Sequence, residues 1–245
     1  MPPVKTRALI LHSFAFGDTS RILRLLTPSY GLRSVIAKGA QRPRSRFGGI
    51  LEPFTEGEAA FILREGRDLL TLSEFSLIRS RQGIGRDLTA FAGASLVAEI
   101  ALRAATEEPL ELLFDTLVTT FDTLAAEPKD PAATALSAAW YIITILGFQP
   151  EMETCVRCGR HLAPEEPARF DVEAGGVACR ACRPAGRLLD AITRREVAAM
   201  ASRPTTDLEL PSRRLHAAVL HIFLSTHLAP DRPLRSLPLF LEHIR

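Results

Sequence analysis

The chain has 245 residues, 47% of them hydrophobic and 24% charged, with a formal net charge of +2. That length accommodates two or three small domains with their own cores, and the composition excludes wholesale disorder. No apolar run approaches the roughly 20 residues of a spanning helix, and the opening Met1-Pro-Pro-Val-Lys lacks the apolar core of a signal peptide, so a cytoplasmic protein is expected.

The small net charge conceals a segregation. Residues 1–80 hold 12 Lys and Arg against 7 Asp and Glu, residues 81–150 hold 4 against 9, and residues 151–245 hold 14 against 12. Within the first fifty residues nine bases (Lys5, Arg7, Arg21, Arg24, Arg33, Lys38, Arg42, Arg44 and Arg46) face one acid, Asp18. A cationic head of this kind attracts a polyphosphate backbone without an active site.

In chain order, the first eighty residues read as strands. Arg7–Phe14 and Ser20–Thr27 flank the turn signal Phe16-Gly17-Asp18, and Pro28–Gly31 turns into Leu32–Ala37. The basic loop Lys38-Gly-Ala-Gln-Arg-Pro-Arg-Ser-Arg46 follows, ending at Gly48-Gly49. Ile50–Leu63 reads as a longer strand bent near Pro53 and Gly57, and Glu65–Asp68 turns into Leu69–Ile78. In that last strand Leu70 and Leu72 share one phase and Phe75 and Leu77 the other, the signature of one extra residue in a β-bulge. Five short strands suit a small closed barrel, for which the OB-fold is the first candidate and an SH3-like barrel the second. Phe16, Tyr30 and Phe47 fall in or beside loops, where bases can stack on them. Phe14, Phe54, Phe61 and Phe75 lie in strands and are expected in the core.

The period changes after Gly85. Leu88, Phe91, Ser95, Ala98 and Leu102 recur at helical spacing, as do Leu110, Phe114, Leu117, Phe121 and Leu124. Pro109 and Pro131 are read as first-turn prolines of a second and third helix, and Gly147 as the cap that ends the third. Further helices are expected over Leu188–Met200, Ser212–Leu228 and Arg235–Ile244, packing back on the earlier ones. The expected class is therefore α+β and multidomain. An OB-fold nucleic-acid-binding domain spans residues 1–80, and a helical bundle spans 81–150 and 187–245. A zinc ribbon is inserted at 151–186.

The insertion rests on cysteines. Cys155-Val-Arg-Cys158 and Cys179-Arg-Ala-Cys182 are two knuckles, each presenting two thiolates, and together they complete a tetrahedron around one zinc ion. Four thiolates fill the coordination shell and leave no open position for substrate, so the ion is expected to be structural. Glu173–Gly176 between the pairs is a hairpin signal. Arg157, Arg160, Arg180, Arg183 and Arg187 cluster on this module, either as phosphate contacts or as solvated surface.

The segments Gly17-Asp-Thr-Ser-Arg-Ile-Leu, Thr27-Pro-Ser-Tyr-Gly-Leu, Ala37-Lys-Gly-Ala40 and Ser45-Arg-Phe-Gly-Gly-Ile-Leu-Glu-Pro-Phe54 resemble the RecO family of bacterial recombination mediators. The order of barrel, helical domain and CxxC–CxxC insertion is similar to that family's plan. The resemblance implies binding of single- and double-stranded DNA, annealing of complementary strands, and association with RecR. It also implies help in loading RecA onto strands coated by single-stranded-DNA-binding protein, with a contact to that protein's C-terminal tail. The DNA-binding role falls on Arg21, Arg24, Arg33, Lys38, Arg42, Arg44 and Arg46, which lie in or beside the matching segments. A place at the bacterial nucleoid follows from that role.

Enzymatic readings find no support in the residues. There is no Walker A loop, and Gln82-Gly-Ile-Gly-Arg86 lacks the rest of a dinucleotide fingerprint. His216, His221, His227 and His243 have no metal-ligand spacing, and the adjacent carboxylate pairs Glu107-Glu108 and Glu165-Glu166 do not face one another on a helix. The expectation is a non-catalytic DNA-binding mediator of recombinational repair. An RNA-binding accessory protein and a protein-interaction scaffold are the alternatives.

Overall fold

The computed structural model of the protein describes residues 3–63, 66–182, 185–204, 210–228 and 230–244; Glu65 and Arg183, named above, lie outside them. Five strands, β1 (Val4–Phe16), β2 (Ser20–Thr27), β3 (Gly31–Ala37), β4 (Glu56–Ile62) and β5 (Leu69–Arg79), close into a barrel in the order β1-β2-β3-β5-β4. All pairs are antiparallel except β3 with β5. That parallel closure is what strand number alone left open, and it defines the OB-fold. The inward residues Leu23, Leu25, Val35, Phe61 and Leu72 are fully buried.

The slip in β5 is a bulge at Ser73. Ala60 pairs with Glu74 but Phe61 pairs with Leu72, and the Ser73 hydroxyl donates to the Ala60 carbonyl at 2.9 Å. Leu72 and Phe75 are thereby both buried, whereas Leu77, in phase with Phe75, is exposed. The expected strand over Ile50–Leu63 is shorter, starting only at Glu56. Phe54 stops it: at φ 68° its backbone leaves the extended region.

Among the described residues six helices follow a 3-10 turn over Gln82–Arg86: α1 (Leu88–Ala104), α2 (Glu111–Ala125), α3 (Pro131–Ile145), α4 (Ala191–Ser202), α5 (Arg213–His227) and α6 (Ser236–His243). Asp87, Asp130 and Asp190 accept the first free N–H groups of α1, α3 and α4, which fixes where each begins. Pro131 is a first-turn residue of α3, and Gly147 (φ 91°) lies just beyond its end. Pro109 instead lies just outside α2, whose N-cap is Leu110. The stretch from Leu188 is not helical at its start. Arg187–Leu189 is a strand, β8, paired with Ala168–Phe170, and α4 waits for the Asp190 cap.

The large-residue stripe expected to bury α1 is instead its more open side. Leu88 and Phe91 are exposed, whereas Ala90, Ala92, Ala94, Val97, Ile100 and Ala101 are buried. A helix enclosed by α2, α3, α6 and the barrel uses small residues to admit its neighbours. At Gly93 a Cβ would come within 2.6 Å of the Ala135 methyl. The later helices pack on α1 and α3, and the rings of Trp140, Phe223 and Phe170 make contact in sequence.

Barrel and helices share one core. Leu9, Leu11, Leu26, Leu32 and Phe54 pack with the helical residues, and the Phe54 ring contacts Phe121 and Phe91 at centroid distances of 4.9 and 6.1 Å. Gly31 (φ 61°) lies under the backbone of residues 106–108, where a Cβ would meet the Glu108 carbonyl oxygen at 2.4 Å. The buried Arg81 guanidinium donates to Glu56 at 2.9 Å, Asp122 at 2.7 Å and the Phe54 carbonyl at 2.9 Å. Glu56 keeps its pair with Arg7 at 2.7 Å, so Arg81→Ala leaves it compensated on one oxygen only and is expected to cost about 1–3 kcal/mol, read as a lowered midpoint in urea or thermal unfolding.

Candidate nucleic-acid interface and metal centre

The basic loop is a string of turns. Arg42 N–H donates to Gly39 O, Ser45 N–H to Arg42 O and Gly48 N–H to Ser45 O, while Gln41 N–H ties the loop to Thr19 in the β1–β2 turn. Phe47, expected on the surface, is 1% exposed and anchors the loop in the barrel core. With its anchor inward, the loop turns Lys38, Arg42, Arg44 and Arg46 to solvent. None of these four has an ion-pair partner among the described residues; Arg46 lies 5.0 Å over the ring of Phe47.

The other three expected contacts are held by the protein. Arg21 donates to Ser13 at 2.8 Å and pairs with Glu52 at 3.3 Å, and Arg24 donates to Ser34 at 3.0 Å. Arg33 donates to the Tyr30 carbonyl at 2.8 Å and makes an ion pair with Glu107. Its charge joins barrel to helices, and a partner 74 residues away leaves no local signal in the sequence.

Phe14 departs from the expectation of a core residue. It is 41% exposed and Phe16 50% exposed, because the β1–β4 ladder ends at Leu9 and, among the described residues, no strand but β2 pairs with His12–Phe16. His12 is also exposed, and its ring lies 5.5 Å from that of Phe14. Ile22 and Arg24 pair with Phe14 and His12 on β2, and Ile36 and Ser34 continue the row on β3. The outer face of β1–β2–β3 is thus an aromatic and apolar surface leading toward the cationic loop. Sequence reasoning missed Phe14 because alternation alone does not reveal that a strand has outrun its neighbour.

The cysteine module carries a three-stranded sheet, β6 (Ala168–Asp171), β7 (Gly176–Ala178) and β8 (Arg187–Leu189), with β6 in the centre. The four cysteine sulfurs lie within 4.8 Å of one another, with Cys155–Cys182 and Cys158–Cys179 at 3.9 Å and Cys179–Cys182 at 3.7 Å. Tetrahedral Zn–S bonds of about 2.3 Å set sulfurs about 3.8 Å apart, so the cage fits such an ion. Each knuckle is held by its backbone: Gly159 (φ 74°) donates to Cys155 O, and Cys182 N–H to Cys179 O.

The thiols perturb one another across the cage. Burial pushes the Cys155 thiol up, but the N–H groups of Cys179, Arg157 and Cys158 outweigh it and bring it to about 6. The neighbouring Cys158 and Cys179 push Cys182 up to about 12. Four thiolates this close repel one another, and a bound dication removes that repulsion. Among the module's arginines, Arg157 is paired with Asp171 and Arg160 with Glu166, whereas Arg180 and Arg187 are exposed without an ion pair among the described residues.

An OB barrel with an unpaired cationic loop and exposed rings, closed against helices that carry a four-cysteine cage, places the chain in the OB-fold class, whose barrels hold oligonucleotides or oligosaccharides. Residues 1–81 match the family Recombination protein O N terminal, and residues 85–238 match Recombination protein O C terminal. The DNA repair protein RecO of Anaeromyxobacter sp. (strain K) is 35% identical over 243 residues, covering 93% of this chain and 92% of that protein. Those of Rubrobacter xylanophilus and Bifidobacterium adolescentis are 33% and 32% identical, covering 73% and 74% of this chain and 71% and 74% of those proteins. The chain belongs to the RecO family of DNA repair and recombination proteins. None of its described helices is long and apolar enough to cross a membrane.

Proposed function

We propose that this protein is a non-catalytic mediator that binds DNA, anneals complementary single strands and assists recombinase loading together with RecR. Residues 1–80 hold the DNA, residues 81–150 with 187–245 form the helical support, and residues 151–186 hold a structural zinc ion through Cys155, Cys158, Cys179 and Cys182. The observation that carries the reading is the set of four solvated, unpaired bases beside exposed aromatic rings on an OB barrel. Lys38, Arg42, Arg44 and Arg46 neutralise phosphates, with Arg21 and Arg24 flanking them, while Arg33 serves the barrel–helix junction. Bases stack on Phe14 and Phe16.

Neutralising the phosphates of two strands lowers their mutual repulsion and lets complementary bases meet, with no need for ATP. RecA acts downstream of this step, on strands coated by single-stranded-DNA-binding protein, and that protein's C-terminal tail is a further partner. The protein works in the bacterial cytoplasm, at the nucleoid.

The test is annealing of complementary oligonucleotides, followed by fluorescence without ATP, with matched RNA strands as competitor. Faster annealing, with DNA preferred, is the expected result; unchanged annealing, or a preference for RNA, overturns it. Phe14→Ala with Phe16→Ala is expected to weaken single-strand binding by about 10-fold or more, at about 1–3 kcal/mol per stacked base, and to leave duplex binding nearly unchanged. Parallel titrations with single strands and duplex check this.

A further inference from the structure

Past Leu9, β1 is bonded by strands on one side only. The β4 ladder ends at Leu9, and the Phe54–Thr55 backbone covers Ile10 through bonds of 2.7 and 2.9 Å. From His12 to Phe16 the strand pairs with β2 alone. Leu11 is the extra residue of a bulge. By the alternation of an antiparallel ladder, Ser13 and Ala15 turn their N–H and C=O groups outward, away from β2. Edges of this kind are normally guarded by lysine, proline or a cover. Here the stretch is His12-Ser-Phe-Ala-Phe16, with no charge and no proline.

We propose that this edge pairs with the same edge of a second copy of the chain, antiparallel, about a two-fold axis at Phe14. The register is self-complementary. Ser13 of one copy and Ala15 of the other exchange hydrogen bonds, and the two-fold repeats the exchange. On the outer face Phe14 meets Phe14 and His12 meets Phe16, aromatic pairs that favour the contact. The ladder stops at Ile10, whose outer side Phe54 and Thr55 already occupy, at the point where the second copy's chain turns away at Gly17.

The ends of the register also match. An apolar groove of about 420 Å³ lies beside Leu11–Ser13, lined by Phe54, Phe91, Leu102 and Leu239, with Arg235 among its lining residues. The second copy's hairpin tip passes the mouth of this groove, setting Phe16 across from His12 on the outer face and bringing Asp18 toward Arg235. Asp18 is the single acid of the first fifty residues, and both Asp18 and Arg235 are exposed and without an ion pair among the described residues. The pairing joins two aromatic faces into one surface with a cationic loop at either end, which seats two DNA strands side by side. That consequence rests on the annealing role proposed above; the pairing itself does not. Repulsion between two cationic barrels weakens the contact, so DNA that neutralises them strengthens it.

The test is sedimentation of the full chain, alone and with a short oligothymidylate, up to about 100 µM protein, a range that reaches weak specific association. Wild type is expected to move from monomer to dimer, at lower concentration with the oligonucleotide. Ala15→Pro removes an outward N–H and is expected to stay monomeric. Asp18→Arg or Arg235→Asp alone is expected to shift the midpoint at least several-fold upward, and the double reversal to restore it. Circular dichroism confirms that each variant is folded. A wild-type chain that is monomeric under both conditions overturns the pairing and leaves the edge to a foreign strand. An Ala15→Pro chain that dimerises like wild type, or a double reversal that restores nothing, does the same. Oligonucleotide binding by monomeric variants separates this outcome from failure of the DNA-binding reading.

Discussion

Replacing Lys38, Arg42, Arg44 and Arg46 together by glutamine is expected to abolish most of the salt dependence of single-strand binding. Each phosphate contact contributes about −0.7 to the slope of log affinity against log salt on single strands, so four contacts contribute about −3. Between roughly 50 and 200 mM salt the four contacts should therefore account for about 50-fold of the affinity that wild type loses, over and above the few-fold that the variant still loses. At the low-salt end the variant should bind at least 10-fold more weakly. Because the four side chains have no ion-pair partner among the described residues, removing their charge costs only the exposed contact of Arg46 over Phe47, and the thermal midpoint should fall by no more than a few degrees. Arg33→Gln is the contrasting control: it removes the pair with Glu107 and should lower stability more than it lowers the slope. Fluorescence anisotropy across a salt series measures the slopes. Equal slopes for wild type and the quadruple variant would refute the assignment of the loop to phosphates.

The barrel was legible in the sequence where neighbours act locally. The phase slip between Leu72 and Phe75 is a property of one strand, and the bulge at Ser73 appears where it was expected. The cysteine pairs were legible for the same reason, since each knuckle is closed by its own backbone. The errors share a different cause. Phe14 and Phe47 exchanged roles because exposure depends on what lies above a residue: β1 outruns β4, while the basic loop folds Phe47 back inward. The stripe Leu88–Phe91–Leu102 in α1 has the period of a core face, yet the helix is enclosed on its alanine sides. Large apolar side chains mark a core only when the partner stands off at ordinary distance. Gly93 against Ala135 shows a closer approach, and there small residues do the burying. The strand β8 was hidden because Leu188 and Leu189 continue a helical pattern that only the Asp190 cap interrupts.

Stripping the proposed zinc ion with a chelator is expected to unfold more than the cysteine module. Cys155 and Cys179 are buried in the same core as Met152, Phe170, Trp140 and Phe223. The buried Arg194 of α4 donates to the Met152 carbonyl at 2.7 Å and to the Ala163 carbonyl at 2.5 Å, so the first knuckle's approach is held by a helix of the bundle. His227 of α5 meets the Val172 carbonyl at 2.6 Å from the other side. A three-stranded sheet of this size has too little core to persist without its ion. Metal binding in such modules is worth about 10–16 kcal/mol in isolated peptides, which exceeds the stability of many whole domains. Loss of the ion therefore leaves Arg194 and His227 without their acceptors and opens the core around Phe170. Helical circular dichroism should fall, and hydrogen exchange should quicken in α4 and α5. The barrel has a second core of its own, built from Ile10, Leu23, Leu25, Val35, Phe47, Phe61 and Leu72. Binding of an oligonucleotide at low salt should accordingly outlast the loss of the ion. Metal content measured on the same samples ties the change to the ion, and Cys155→Ser should reproduce it without chelator. If exchange quickens only between residues 151 and 182 while α4 and α5 stay protected, the bundle stands independently of the cage, and the shared core is a contact without cooperative weight.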